Sequence, residues 1–144
     1  MRTLQINHLA VLAAVVALSG FGALWYGPLM GDQWMRLVGL DMATIEANPP
    51  GIEVWISNLV STVIPVYVLA WLFVELKVET VVKGAMLGLV IGFAFFFLRN
   101  LTGNLFAQQP YGLTWVDGGY NMACFLMAGA ILGAWRKYKV VQAA

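Results

Sequence analysis

The sequence predicts an all-α integral membrane protein, a four-helix bundle that crosses a lipid bilayer. Three observations carry this. Only 10% of the 144 residues are charged and 61% are hydrophobic, whereas soluble chains carry roughly 25% charge. Mean hydropathy is +0.80. Four apolar stretches each approach the roughly 20 residues that a helix needs to cross the hydrocarbon core, and aromatic residues mark their ends. A chain of this length makes a single domain, residues 1–144.

The first span is expected from about Ile6 to Tyr26, with no charge after His8. It ends on Trp25 and Tyr26 before Gly27-Pro28, with no small-residue cleavage site, so it reads as an uncleaved helix and not a secretory signal. Indole and phenol rings favour the headgroup level because one end is apolar and the other hydrogen-bonds. The long loop that follows is patterned. Trp34, Leu37 and Val38 recur at helical spacing, and Gly39 is placed to end that turn. Asp41 can cap a second short turn containing Ile45, before Asn48-Pro49-Pro50-Gly51 breaks it. A short interfacial helix is therefore expected here, with Trp34 facing either lipid or bundle.

The second span is expected at about Val54–Leu76, the third at Val81–Leu98 and the fourth at Trp115–Trp135. The short turn between the second and third makes them antiparallel neighbours. Thr102–Thr114, with Gly103, Pro110 and Gly112, reads as an irregular cover. Four crossings put both termini on one side, together with the Glu75–Thr80 turn. That side holds six cations (Arg2, Lys77, Lys83, Arg136, Lys137 and Lys139) and the other holds two, Arg36 and Arg99. The excess of Lys and Arg marks the cytoplasmic face, so both termini are expected inside.

Several function classes are disfavoured. A net charge of +1 without a basic stripe gives no nucleic-acid footprint. The single cysteine, Cys124, forbids an internal disulfide, and the only histidine, His8, has no carboxylate beside it. No nucleophile motif or phosphate-cradling glycine loop is present, so neither catalysis nor a metal or cofactor is expected.

Two stretches carry a resemblance. Leu24-Trp-Tyr-Gly-Pro-Leu29, with Gln33-Trp-Met-Arg36 after it, is one; Asp117-Gly-Gly-Tyr120 leading into Met127-Ala-Gly-Ala-Ile-Leu-Gly-Ala-Trp135 is the other. Together they resemble a bacterial membrane family known as domain of unknown function, family 1761, in which Ser is more usual where Gly27 stands. The similarity covers nearly the whole chain. It implies a four-helix protein of the bacterial cytoplasmic membrane and brings no activity, substrate or catalytic residue.

Candidate residues fall into four groups. Gly84, Gly88 and Gly92 repeat at four-residue intervals on the third span, and Gly129 and Gly133 on the fourth. Such faces let backbones approach closely, either inside one bundle or between copies in a homo-oligomer. Asn58, Ser61, Thr62 and Pro65 form a polar patch at an expected proline kink, which is either a tolerated proline or part of a solute pathway. Arg99 and Asp117 lie at similar depth and are expected to pair, with Asn121 and Cys124 continuing the Asp117 face; the alternative is a polar entrance. Trp25, Tyr26, Trp34, Trp115 and Trp135 are expected interfacial anchors. Two functions compete. One is a structural or accessory bundle that self-associates or docks on a larger membrane complex. The other is a small transporter or channel for an ion or small solute.

Overall fold

The computed structural model describes residues 2–140; residues 1 and 141–144 lie outside the described part. The chain opens with a short strand, β1 (Arg2–Gln5), and enters helix α1 (His8–Leu24). Asn7 caps that helix, its Oδ1 accepting the amides of Leu9 and Ala10 at 3.1 and 3.4 Å. The helix does not stop at Gly27-Pro28 as the sequence suggests. It continues as a wider π-helical turn, Trp25–Leu29, whose backbone leaves helical geometry at Gly27. Pro28 offers no amide hydrogen, and the turn closes instead through the Met30 amide on the Trp25 carbonyl at 2.7 Å.

Two short helices follow, α2 (Gly31–Val38) and α3 (Met42–Ala47), as the loop pattern predicts. Gly39 ends α2 in the left-handed conformation, φ 74°, which costs an L side chain and not glycine. Asp41 caps α3, accepting the Thr44 amide at 2.7 Å.

Among the described residues three helices are long and apolar enough to cross a membrane: His8–Leu29, Ile52–Glu75 and Val81–Phe106. The second is α4 (Ile52–Glu75), which runs through Pro65 as one helix. The third comprises α5 (Val81–Ile91), a π-helical stretch at Gly92–Phe97, and α6 (Leu98–Phe106). Here the sequence expectation needs correcting. The segment read as irregular cover is helical as far as Phe106, and α7 (Tyr111–Ala134) begins earlier than expected. Glycine and proline misled because Gly103 is carried inside a helix and Pro110 occupies the cap before α7. Asn104 then clasps α6 to α7 through the hydroxyl of Thr114, a fully buried residue, at 3.1 Å.

The centre of the molecule is α7. It buries Leu113, Val116, Cys124, Ala128 and Leu132 against its neighbours, and its glycines receive α5. A Cβ on Gly84 would strike the Gly129 carbonyl, and one on Gly88 the Phe125 carbonyl. At Gly92 an added Cβ would sit 2.9 Å from the Met122 Cα, and at Gly133 2.5 Å from the Thr80 carbonyl. The glycine ladders of the two helices therefore face each other within one chain, backbone on backbone.

This pairing also corrects the expected neighbours. α4 and α5 are joined by the short turn at 76–80, but α5 packs on α7, and α4 leans on α1 through Val66, Leu69, Ala70 and Phe73. No residue of α4 before Val66 is buried. The chain closes with β2 (Lys137–Val140), which pairs antiparallel with β1, Arg2 opposite Val140 and Gln5 opposite Lys137. The described ends of the chain are thus side by side. The Asn7 side chain reinforces the clasp, donating to the Trp135 carbonyl at 3.2 Å.

Candidate functional site

The two sequence stretches that carry the family resemblance are partners in space. The Trp25 indole donates to the Val116 carbonyl at 3.1 Å, and the Tyr26 hydroxyl donates to Asp117 Oδ1 at 2.8 Å. Trp34 meets the Tyr26 ring edge-on at 5.9 Å. Tyr120 completes the cluster, stacked on Phe21 at 5.7 Å and edge-on to Tyr26 at 5.0 Å. Its hydroxyl rests on Gly22, where a Cβ would stand only 2.8 Å away. The break at Gly27 and the return through α2 fold this aromatic lid onto the N-terminal half of α7.

The expected Arg99–Asp117 pair is not formed. Asp117 takes its hydrogen bond from Tyr26, while Arg99 is exposed and is not among the groups acting on that carboxylate. Depth along the sequence put the two charges level, but the carboxylate is engaged by Tyr26 and the guanidinium stays at the surface. Asp117 also lies in the second turn of α7, not the first, because the helix starts at Tyr111. Of the expected interfacial anchors, Trp115 and Trp135 are exposed at 58% and 49%. Trp25, Tyr26 and Trp34 are half-buried, and Trp25 and Tyr26 hydrogen-bond to α7.

Behind the lid lies a cavity of about 150 Å³ between α1, α4 and α7. It unites the two polar sets that the sequence places on separate helices: Asn58, Ser61, Thr62 and Pro65 from α4, with Tyr120, Asn121 and Cys124 from α7. Asn58 and Ser61 are exposed, so the cavity opens along the N-terminal half of α4. Several polar groups are already committed. Thr62 bonds back to the Asn58 carbonyl at 2.9 Å, and the Asn121 amide donates to the Asp117 carbonyl at 2.8 Å. One backbone acceptor lacks its usual donor, because Pro65 cannot supply the amide that the Ser61 carbonyl normally receives. Tyr120, which stands in the second resemblance stretch beside Asp117 and Asn121, supplies the aromatic part of this polar wall.

The family's sequence profile, described as a protein of unknown function (DUF1761), matches residues 9–133. The chain belongs to that family. In DUF1761 terms, both the lid and the cavity lie inside the matched region. Neither the curated proteins nor the solved structures contain a match.

His8 is placed apart from this site. Its Nδ1 lies 3.1 Å from the Tyr67 hydroxyl, tying α1 to α4 near the strand end of the molecule. Among the described residues no group of three His, Cys, Asp or Glu side chains comes together as a metal site would require.

Proposed function

We propose that this chain is a small-molecule binding or carrier protein of the bacterial cytoplasmic membrane, not an enzyme, with its site in the cavity between α4 and α7. It crosses the bilayer four times in this reading, α7 being the fourth crossing and both termini cytoplasmic. A helix wrapped by its neighbours need not be apolar all round, which accommodates Asp117 and Asn121 in α7. The observation that carries the reading is the convergence of Asn58, Ser61, Tyr120 and Asn121 on one cavity. Ser61 lies about 14 Å along the helix axis from the start of α4, at 1.5 Å per residue, well inside a span. Polar groups at such depth are costly unless something satisfies them.

Cys124 lines the cavity and is the only cysteine, so it reports on access. In intact vesicles N-ethylmaleimide should alkylate it, and Ser61→Trp, which places an indole across the opening, should slow alkylation at least tenfold. A wild-type Cys124 that reacts only after denaturation would mean a closed interior and would end this reading.

The docking alternative draws on a different observation. The outer half of α4 is bare, with Ile52 exposed at 72% and Trp55 at 60%. Purification from the native membrane in mild detergent separates the two. A stoichiometric protein partner or a homo-oligomer favours docking, and a co-purifying small molecule favours the cavity.

A further inference from the structure

The polar cavity has an apolar continuation. A second cleft of about 430 Å³ lies between α4 and α5, lined by Ile64, Val68, Leu72, Ile91 and Phe95. The two volumes share four wall residues, Pro65, Leu69, Phe96 and Phe125, so one opens beside the other. The cleft exists because α5 is drawn onto α7 by the glycine ladder while α4 leans on α1. Its described walls carry no polar side chain, and no described residue lining either volume is charged.

From this arrangement we infer that the site holds one uncharged, single-chain amphiphile, with its compact hydrogen-bonding head in the polar cavity and its chain along the α4–α5 cleft. The inference rests on the binding reading above and names the ligand class. A cavity of about 150 Å³ is the size that accepts a benzene ring, which bounds the head. By the same measure the apolar cleft, about 430 Å³, is nearly three times as large and has room for an extended alkyl chain. A charged head would meet no counter-charge there and would lose its hydration, an expense of several kcal/mol. A neutral head finds donors in Ser61, Asn58 and Tyr120 and acceptors in the Ser61 carbonyl and Asn121. A helix from a second copy, about 10 Å across, is too wide for the polar cavity. Water alone would satisfy the polar end and leave the apolar cleft unfilled.

The test uses Cys124 alkylation in phosphatidylcholine nanodiscs. Monolauroylglycerol, at a few mole per cent, should slow N-ethylmaleimide labelling about tenfold and saturably. Dodecyl phosphate, with the same chain and a charged head, should change it less than twofold. Val68→Trp, which fills the apolar cleft away from Cys124, should abolish the protection and leave labelling fast. Thr62→Trp is the second way to close the polar cavity should Ser61→Trp fail to fold. Equal protection by both amphiphiles overturns the head-group assignment. No protection by either, with Cys124 still reactive and Ser61→Trp or Thr62→Trp still blocking it, overturns the amphiphile and leaves the binding reading standing.

Discussion

Replacing Tyr26 by Phe removes a single hydroxyl and tests what holds the lid. In the structure that hydroxyl donates to Asp117 Oδ1 at 2.8 Å, in a half-buried setting where water replaces it poorly. A hydrogen bond to a charged group contributes about 1.5–3 kcal/mol, so Tyr26→Phe should cost about 2 kcal/mol. For a chain of this size that is a fall in Tm of roughly 4–8 °C. The ring stays, so the stacking around Tyr120 is kept and the loss belongs to the hydroxyl. Asp117→Asn retains an acceptor and should cost less, and the double variant less than the sum of the two, because both act on one bond. Arg99→Ala should fall within about 0.5 kcal/mol of wild type, as a surface change does. Thermal unfolding in mild detergent, followed by fluorescence-detected size exclusion, reads all four proteins. A silent Tyr26→Phe together with a damaging Arg99→Ala would refute the lid and restore the Arg99–Asp117 clamp.

Glycines divide by surroundings: Gly88→Ala pushes a methyl into the Phe125 carbonyl and should cost about 1–3 kcal/mol. Gly20→Ala meets nothing within 4 Å and should stabilise by about 0.5–1 kcal/mol, both read as shifts in Tm. Gln108 has φ 56° between α6 and α7, so Gln108→Gly should raise stability by about 1 kcal/mol in the same assay. The Thr44 hydrogen bonds hold Asp41 below the usual carboxylate range. Its support of α3 is therefore complete above that range and is lost as pH falls through the lowered value, which amide exchange across 42–47 should follow and Asp41→Ala should abolish. Reporters fused at the C-terminus and inserted at Asp41 should report opposite faces of the membrane, the former cytoplasmic; an external C-terminus would refute the orientation drawn from the cations.

Much of the helical layout was legible because long apolar runs and caps act locally. Gly39 and Asp41 marked their helix ends by mechanisms confined to a few residues. The helix of 98–106 was not legible, since Thr102 and Gly103 are poor formers held by tertiary contact, notably Asn104 on Thr114. Neither were the paired strands, four residues each at opposite ends of the chain. The preference of α5 for α7 was written in complementary glycines on both helices, but chain proximity suggested α4. For the cavity, each polar set was visible on its own helix. Their meeting depends on the rotation of α4 against α7, which no local pattern encodes. Asp117 was recognised as needing a partner, and the donor lay 91 residues away on the far side of a helix break.

The central position of α7 has a consequence for how the protein is made. Ribosomes add roughly 5–20 residues per second, so α7 follows the end of α4 by several seconds. Through that interval Gly84, Gly88 and Gly92 lack the α7 backbone that covers them, and α1 has no Tyr120 to seat its aromatic end. The described helix that organises the others is the last of them to be made, and it carries Asp117 and Asn121 in among them. A nascent chain ending near Gln109 should thus be three loosely associated hydrophobic helices, an open substrate for membrane proteases, until α7 slots between them and locks the assembly in one step.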